Sequence, residues 1–406
     1  MTVCLVAYVR RGESMKIVSV EATKVNYPRL KPMTVPRPGP SRSDLNAQAT
    51  PLRRYMKDPN FGFSRKVPGG DRDVGCVVTL EDGTWGFGFT DHGRTTASLI
   101  EDYLAPAIEG RDVMSTETLY DLMIRVTSGF GTNALVAYAI AAVDLAIWDA
   151  KGKLLEKPVY NLLGGSTDIL KPLYSTGNDT WWQKELGCEN FKRFSPYGPP
   201  DGIEGINRLE EEIAEARELV GPDAELMLDF WMGLDVETAV RTAERLRPYN
   251  LKWLEDAFLP DTLDEYERFR TRVLWQTLAT GEHWYGIYPF FHAAKEGLVD
   301  ILQPDIIWCG GLTPLIKICH VAESAGLSVI PHGSGGTAYG QHACYGLAAV
   351  PMIECSGPVM TEPGVPLHEK DRLPGTVAPF EGKLRPSDEP GFGLNLKREW
   401  FPPFFD

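Results

Sequence analysis

Carboxylate and imidazole side chains close six short apolar runs in the second half of the chain, and both groups can bind metal ions and move protons. The runs read LMLDFW, KWLEDA, LATGEHW, DILQPDIIWCGG, LSVIPHGSG and PMIECSG. Their polar residues are Asp229, Glu255, Glu282 with His283, Asp305, His332 and Glu354. Successive markers lie about 22 to 27 residues apart, which is the length of one strand, one helix and two loops. The spacing predicts a repeated strand and helix unit that presents a reactive side chain at each strand end.

Three of these carboxylates, on Asp229, Glu255 and Glu282, follow three successive apolar runs. A single acid after an apolar strand usually caps the next helix, which is the alternative for any one of them. Three in succession would lie side by side along one edge of a sheet. They would offer hard oxygen ligands with open positions, which Mg²⁺ prefers and zinc does not. The pattern predicts a magnesium site.

Asp305 and His332 close two further successive runs, so their side chains would also be neighbours. A carboxylate beside an imidazole orients the ring and holds its pKa in a range useful for general base catalysis. We interpret the pair as a base with its orienting acid. The alternative is a core or helix-capping histidine. The glycines of PHGSGG favour catalysis, because they leave backbone room for a ligand.

Three further residues are candidates for catalysis or substrate contact, and each has a second interpretation. His283 could act as an acid or bind a substrate oxygen, or it could pack behind Glu282. Lys192 could bind a substrate carboxylate, or it could be a solvated lysine. Glu354 could bond the substrate or hold a partner of the base. All of these roles require strand ends that meet at one place.

Two earlier runs, LKPLYSTG and CENFKRFS, raise the number of strand candidates to eight. Helical patterns such as GINRLEEEIAEARELVG fill the gaps between them. Strands that alternate with helices pair in parallel, and eight such units close into a (β/α)8 barrel whose active site lies at the C-terminal strand ends. We therefore predict an α/β protein with a TIM-type barrel.

A smaller unit precedes the barrel. Residues from Met15 alternate as a half-buried strand does, Asp82-Gly83 is typical of a hairpin turn, and the helical stretch 134–155 is apolar almost all round. Residues 28–68 are cationic and lack periodicity, so they form either a lid for an anionic ligand or a solvated loop. The predicted organisation is an extension at 1–14, an α+β domain at 15–140 with a mobile loop at about 28–68, a barrel at 141–375, and a tail at 376–406 packing on the first domain.

The composition excludes several classes of protein. The chain has 406 residues, 43% of them apolar, with a formal net charge of −14 and a pI near 5.1. Nucleic acids and anionic membranes are disfavoured as partners because phosphates need a basic face, and no apolar run approaches the roughly 18 residues of a membrane span. Seven scattered cysteines without a CxxC pair are typical of a reducing compartment. We expect a cytoplasmic protein with a small-molecule substrate.

The motifs LMLDFWM, KWLED, ATGEHWYG, LQPDIIWCGGLT and VIPHGS resemble the enolase superfamily, and within it the mandelate racemase group. The similarity extends from about Met15 to the end of the chain, and the motifs look most like those of dehydratases that act on L-rhamnonate. The resemblance implies an α+β capping domain over a modified (β/α)8 barrel, and a homo-oligomer. It also implies Mg²⁺ on Asp229, Glu255 and Glu282, and a base at His332 paired with Asp305.

The resemblance further implies a reaction. In this group a metal ion stabilises the enediolate that forms when a base removes the proton next to a carboxylate. The expected activity is dehydration of an acid sugar, an aldonate, to a 2-keto-3-deoxy acid. His332 would be the base, and either His332 or His283 would be the acid that assists the loss of water.

Two positions depart from the group. Relatives that racemise or epimerise carry Lys-x-Lys on the second strand, whereas here Lys192 is followed by Arg193 and Phe194. The missing second base favours elimination. Related dehydratases carry a histidine in the mobile loop, whereas Arg42 falls near that place here and no histidine precedes His92. We therefore predict that Arg42 binds substrate and leave the identity of the aldonate open.

Two other functions stay open. One is epimerisation or racemisation of a related hydroxy acid, which would have to proceed without the second base. The other is a catalytically silent barrel that serves as a binding protein. Such a protein would be expected to have lost a metal ligand or the His332–Asp305 pair, and the sequence retains all of them.

Overall fold

The computed structural model describes residues 14–28, 49–55, 73–356, 372–380 and 382–405. Arg42 and most of the predicted loop at 28–68 lie outside these ranges, as does the predicted extension apart from Ser14. Every other residue predicted to take part in the site lies inside them.

The described part of the chain contains eleven strands and twelve α-helices, together with five short 3-10 or π-helical segments. The strands are β1 (Ile17–Thr23), β2 (Val74–Leu80), β3 (Trp85–Thr90), β4 (Leu173–Thr176), β5 (Phe191–Phe194), β6 (Leu226–Asp229), β7 (Leu254–Glu255), β8 (Leu278–Thr280), β9 (Ile301–Leu302), β10 (Ser328–Val329) and β11 (Ile353–Ser356). The helices are α1 (Gly93–Leu99), α2 (Ala105–Ile108), α3 (Thr116–Thr127), α4 (Leu135–Leu154), α5 (Val159–Leu162), α6 (Thr180–Glu185), α7 (Gly202–Val220), α8 (Val236–Leu246), α9 (Leu263–Arg270), α10 (Tyr288–Glu296), α11 (Leu312–Ala325) and α12 (Ala338–Gly346).

The first three strands form an antiparallel sheet in the order β1-β2-β3. The predicted hairpin turns at Asp82-Gly83, where Gly83 has a φ of 86° and the Thr84 N–H donates to Oδ1 of Asp82 at 2.9 Å. Helix α4 can lie directly on this sheet because β3 contains glycine. A Cβ on Gly88 would come within 1.8 Å of the Ala142 carbonyl oxygen. The sheet and α4 share one apolar core.

The other eight strands form one parallel sheet in the order β10-β9-β8-β7-β6-β5-β4-β11. The last strand, β11, therefore pairs with the first of this series, β4. Where the two outer strands β10 and β11 approach each other, the Val329 N–H donates to the Ala349 carbonyl oxygen at 3.0 Å. A helix follows each strand from β4 to β10. The predicted (β/α)8 barrel with an N-terminal α+β unit is confirmed.

The alternation of side chains along the barrel strands explains why reactive residues gather at one end. Seven residues form a buried apolar floor inside the barrel, namely Tyr174, Met227, Trp253, Ala279, Ile301, Ile330 and Met352. The next side chain on the same face of a strand lies two positions further along. On four of these strands that residue is Asp229, Glu255, His332 or Glu354. A polar rim therefore lies directly above an apolar floor.

Helix α4 joins the small sheet to the barrel. It packs against β2 and β3 on one side and against α11 on another, and it runs across the predicted domain boundary between residues 140 and 141. Among the described residues, no helix is both long enough and apolar enough to cross a membrane. The apolar surface of α4 is buried within the protein instead.

The C-terminal tail runs beside β1. The Phe404 N–H donates to the Ala22 carbonyl oxygen, and the Asn26 N–H donates to the Trp400 carbonyl oxygen, both at 2.9 Å. These backbone bonds attach the end of the chain to the edge of the small sheet. The domain boundaries given in the sequence analysis, at residues 14/15, 140/141 and 375/376, stay predictions.

Candidate active site

The residues predicted for metal binding and catalysis lie together at the C-terminal ends of the barrel strands. Asp229 and Glu255 end β6 and β7, Glu282 and His283 follow β8, Asp305 follows β9, and His332 follows β10. The four carboxylates are buried, whereas the side chains of His332 and His283 keep 23% and 15% of their surface exposed. Among these six residues, the two histidines are therefore the most exposed.

His332 is held between two carboxylates. Its Nδ1 lies 2.8 Å from Oδ2 of Asp305, whose other oxygen accepts the Ile307 N–H at 2.8 Å. Its Nε2 lies 3.2 Å from Oε2 of Glu282. Burial lowers the pKa of His332, but the charge of Glu282 and the hydrogen bond with Asp305 outweigh burial and raise that pKa well above the ordinary value. One nitrogen is thus anchored, and the other faces the carboxylates of the rim.

Two of the three carboxylates predicted to bind Mg²⁺, those of Asp229 and Glu255, have raised pKa values. Burial and the charge of Glu255 raise the pKa of Asp229 well above its usual range. Burial also raises the pKa of Glu255, against the lowering influence of the Lys192 ammonium group. Acids crowded in this way favour a bound dication, which neutralises more than one of them. The donors are all hard oxygens, so this set fits Mg²⁺.

The contacts of Glu255 leave room for a metal on one of its oxygens. Its Oε2 accepts from Trp253 Nε1 at 2.7 Å and from Gln303 Nε2 at 2.9 Å, whereas its Oε1 contacts Lys192 alone among the described residues. A carboxylate has about four lone-pair positions, two on each oxygen. Oε1 therefore keeps one position for a cation, and Oε2 has none left.

Lys192 and Glu354 form a buried ion pair inside the barrel. Lys192 is 1% exposed, so it is not a solvated lysine, and its Nζ lies 2.7 Å from Oε1 of Glu354. Burial alone would raise the pKa of Glu354, but the charges of Lys192 and His332 overcome it and lower the pKa to about 2. Oε2 of Glu354 accepts the N–H of Gly333, the neighbour of His332, at 2.9 Å. This contact favours a role for Glu354 in holding the segment of His332 and Gly333 after β10.

His283 has its own carboxylate partner, which the sequence analysis did not identify. Its Nδ1 lies 3.3 Å from Oδ2 of Asp256 and 3.3 Å from Oε1 of Glu282. Strand alternation predicts that Asp256 points away from Glu255, but its φ of 46° ends the regular strand. Burial lowers the pKa of His283, while Glu282 and Asp256 outweigh it and raise that pKa.

Asp256, Glu282 and His283 could also hold a metal ion, since each offers a ligand atom and the three atoms lie within 4.8 Å of one another. One oxygen of Asp256 is already used, however, because Oδ1 accepts the Thr280 hydroxyl at 2.8 Å. Its Oδ2 lies 3.3 Å from Nδ1 of His283, and neither of these two buried atoms has a hydrogen-bond partner among the described residues. Mg²⁺ also prefers oxygen to imidazole nitrogen. The set of Asp229, Glu255 and Glu282 offers oxygen donors alone and stays the predicted Mg²⁺ site.

Two family models match this chain. Residues 71–164 match the N-terminal domain of mandelate racemase and muconate lactonizing enzyme, and residues 185–400 match the enolase C-terminal domain-like model. The chain belongs to the enolase superfamily. Both of the superfamily's domains are thus present, in the order that the small sheet and the barrel show.

Individual relatives in the enolase superfamily include curated and solved proteins. The chain is 40% identical to an L-rhamnonate dehydratase of Saccharopolyspora erythraea over 356 residues, which are 86% of this chain and 90% of that protein. It is similar to the crystal structure of L-rhamnonate dehydratase from Gibberella zeae, with a TM-score of 0.83, 27% identity and coverage of 97% of both chains. A structure of rhamnonate dehydratase from the same organism complexed with Mg has a TM-score of 0.81 at 26% identity, again covering 97% of both chains.

The second strand of this enolase-superfamily barrel places an apolar residue at the rim. Phe194 pairs in register with Asp229 and is 3% exposed, at the position where a second lysine is expected in racemising relatives. Arg193 points out of the barrel, where it donates to the Asn178 carbonyl oxygen and the Thr180 hydroxyl, both at 2.9 Å. Strand β5 therefore supplies no base opposite His332.

An aromatic wall borders the two histidines, and sequence reasoning did not find it. It consists of Trp231, Trp308, Tyr138 and Tyr285. The ring of Trp308 lies 5.3 Å from that of His332 and 5.8 Å from that of His283, measured between centroids. Tyr138 comes from α4, so the small domain contributes to the wall. Only the position of α4 relative to the barrel could have revealed it.

Proposed function

We propose that this chain is a Mg²⁺-dependent acid-sugar dehydratase with L-rhamnonate as the first candidate substrate. The observation that carries the proposal is the one-sided rim, in which His332 bridges Asp305 and Glu282 while Phe194 occupies the place of a second base. The 40% identity to an L-rhamnonate dehydratase supports the choice of substrate. The enzyme is then a hydro-lyase, which cleaves a carbon–oxygen bond.

Asp229, Glu255 and Glu282 are the residues that would hold the Mg²⁺ ion. When bound, the ion supplies positive charge that stabilises the anion formed next to a carboxylate. The raised pKa of Asp229, caused by burial and by Glu255, supports this assignment because it reports acids without enough countercharge.

His332 is the proposed base. Its Nδ1 is fixed by Asp305, so Nε2 is the nitrogen that removes the proton next to the substrate carboxylate. The hydroxyl on the adjacent carbon then leaves as water, with a proton from His332 or from His283. Nδ1 of His283 lies 3.3 Å from Oδ2 of Asp256, a longer contact than the 2.8 Å hydrogen bond between His332 and Asp305, and the nearby acids raise the pKa of His283, which favours a proton on its ring. The enol product rearranges to a 2-keto-3-deoxy acid.

Three substrate-binding roles stay predictions, those of Lys192, Glu354 and Arg42. Lys192 and Glu354 already contact each other inside the barrel. Lys192 lies beside the floor residue Met227, and Glu354 belongs to the polar rim. Their charge pair would position a substrate from below. Arg42 lies in the loop outside the described residues. The cytoplasmic location and the homo-oligomeric state are proposed on the sequence alone, and light scattering of the purified protein tests the oligomer.

The decisive experiment incubates the purified protein and Mg²⁺ with a panel of aldonates that includes L-rhamnonate, and assays the 2-keto-3-deoxy product. We expect product with wild type and with His320→Asn, a control at an exposed histidine on α11. We expect none with His332→Asn. Full activity in His332→Asn would overturn the assignment of the base.

The same assay separates the competing functions. An epimerase or racemase would exchange the substrate's α-hydrogen with deuterium in heavy water and give no keto acid. A catalytically silent barrel would bind an acid sugar without exchange or product. Phe194 disfavours the first function, and the complete set of rim residues disfavours the second.

A further inference from the structure

The end of β3 in the small domain and the residue after it are bonded to the loop that follows β9 in the barrel. The Thr90 hydroxyl donates to the Ile307 carbonyl oxygen at 2.7 Å. The indole N–H of Trp308 donates to Oδ2 of Asp91 at 3.1 Å. Two consecutive residues of one domain therefore bind two consecutive residues of the other, and the second bond goes to a side chain of the aromatic wall.

Trp308 lies against the proposed base. Its ring is inclined by 32° to that of His332, with 5.3 Å between centroids, and by 37° to that of His283. It is three positions after Asp305, which anchors Nδ1 of His332. The loop after β9 thus supplies both the acid that bonds the imidazole and the ring that packs on its face.

These two contacts restrict different motions of the base. The Asp305 bond fixes one nitrogen, but an imidazole held at one atom can still tilt about that contact. A ring packed on its face blocks the tilt. Trp308 is itself oriented by its N–H, because an indole has a single donor and Asp91 is the acceptor that receives it.

We propose that Asp91 is a positioning residue for proton removal. It holds the indole of Trp308 against the ring of His332 and so keeps Nε2 of the base directed at the substrate. Asp91 acts through Trp308 and needs no contact with the substrate. The inference rests on the proposed dehydratase function, in which His332 is the base.

A merely structural role, in which the bond only attaches the two domains, predicts different results. It would lower the melting temperature and leave turnover unchanged in the folded enzyme. If Asp91 positions the base, its loss should lower kcat and leave KM nearly constant, because the substrate still binds while Nε2 of His332 no longer points at it. It also predicts rescue by Asp91→Asn, since the amide oxygen accepts the same indole N–H.

The experiment measures kcat, KM and melting temperature for Asp91→Ala, Asp91→Asn and Trp308→Phe at a temperature where all are folded. We expect kcat to fall about tenfold to a hundredfold in Asp91→Ala, with Asp91→Asn within about threefold of wild type. Trp308→Phe keeps an aromatic ring but loses the N–H donor. A double variant that combines Asp91→Ala with Trp308→Phe should therefore have a kcat no lower than the slower of the two single variants. Asp121→Ala, an exposed acid on α3, is the matched control.

A second measurement does not depend on turnover. In protein labelled with ¹³C at histidine Cε1, the His332 signal is identified by its loss in His332→Asn. We expect that signal to shift in Asp91→Ala and to stay in place in Asp91→Asn and Asp121→Ala. If wild type dehydrates no aldonate, the proposed function fails while this signal still reports positioning. An unmoved signal, or an unchanged kcat in Asp91→Ala, overturns the inference.

Discussion

Two groups of buried acids in this protein have opposite surroundings. Asp144 and Asp149 lie on α4, where other segments of the chain supply their donors. Thr313 donates to both oxygens of Asp144, through its N–H at 2.9 Å and its hydroxyl at 2.6 Å. The N–H groups of Phe87 and Phe392 donate to the two oxygens of Asp149 at 2.9 and 3.0 Å. These acids join α4 to α11, to β3 and to the C-terminal tail.

The acids of the polar rim mainly face charged groups and one another. After burial, the charges of Glu255 and Glu282 raise the pKa of Asp229. Glu282 also contacts both His332 and His283. An acid surrounded by backbone and hydroxyl donors holds a fold together, because its oxygens accept hydrogen bonds from other segments of the chain. An acid surrounded by acids and imidazoles needs a cation or a proton to be stable. The kind of donor, rather than burial itself, separates a structural acid from a reactive one.

The strongest test of this contrast is Asp229→Asn. The amide keeps an acceptor for the Trp231 N–H, which donates to Asp229 at 2.7 Å, but it removes one charge from the rim. We expect kcat to fall about 1000-fold, since metal-assisted charge stabilisation contributes several kcal/mol. Without Mg²⁺, the free energy of unfolding should stay the same or rise, because a buried like charge is gone.

Steady-state kinetics at saturating Mg²⁺ and urea denaturation in a chelator measure the two effects of Asp229→Asn. Wild type should also gain thermal stability when Mg²⁺ is added, and the variant should gain less. A variant that is strongly destabilised in the chelator would show that Asp229 is a structural acid like Asp149, and the contrast would fail.

Asp149→Ala should have the reverse profile. It leaves the N–H groups of Phe87 and Phe392 buried without their acceptor and removes the partner of Lys153, which donates to Asp149 at 2.7 Å. We expect a loss of about 3 to 4 kcal/mol in the free energy of unfolding, since each buried unsatisfied donor costs about 1 to 3 kcal/mol. Urea denaturation measures it, with Asp121→Ala as the control. A loss of kcat without a loss of stability would contradict the structural role.

Asp144 gives a pH-dependent prediction. Burial raises its pKa to about 7, despite the hydrogen bonds from Thr313 that lower it. Between about pH 4 and pH 7 the folded state keeps a proton that the unfolded state has lost, so this group's contribution to stability falls as the pH rises. From pH 5 to pH 7 the loss is about 2 to 3 kcal/mol, at about 1.4 kcal/mol for each pH unit.

The comparison that isolates Asp144 is wild type against Asp144→Asn, whose amide does not titrate. The difference between their free energies of unfolding should change with pH between pH 5 and pH 7 and become constant above about pH 7. Urea denaturation at four pH values measures it. Parallel curves for the two proteins would show that Asp144 is ionised throughout this range.

Tyr266→Phe has the smallest expected effect, and it tests whether Asp256 belongs with the structural acids or with the acids of the polar rim. Tyr266 donates to Thr280 at 3.0 Å, and Thr280 donates to Asp256 at 2.8 Å, so Asp256 has a neutral donor chain behind it and His283 in front. Tyr266→Phe should cost about 1 kcal/mol of stability through the lost hydrogen bond. It should change kcat by less than about threefold, as Thr280 still donates. A larger kinetic effect would make this chain part of the catalytic apparatus.

The barrel and its rim could be predicted because strand alternation is a local rule. A side chain two positions after an inward apolar residue also points inward, so Asp229, Glu255 and His332 had to meet once the strands paired in parallel. The even spacing of six apolar runs predicted six strands, and the two earlier runs LKPLYSTG and CENFKRFS supplied the other two. Nothing beyond neighbouring residues was needed for these predictions.

Other parts of the site depend on distant segments. Asp256 reaches His283 only because its backbone adopts a positive φ, which no pattern of apolar residues encodes. Trp308 became part of the wall through Asp91, and a bond between residues 217 positions apart cannot be read from spacing. Gly311 ends the loop after β9 and makes room for Asp144, since a Cβ there would lie 2.5 Å from Oδ2 of that acid. Such contacts are set by how the two domains dock.

The apolar floor determines how substrate enters the barrel and how product leaves it. Large side chains such as Tyr174 and Trp253 close the barrel axis beneath the rim, and all seven floor residues are buried. Substrate and product must therefore use the same mouth, on the side of the histidines and the aromatic wall. A product still in the mouth blocks the next substrate, so its departure belongs to the catalytic cycle as much as the removal of the proton does.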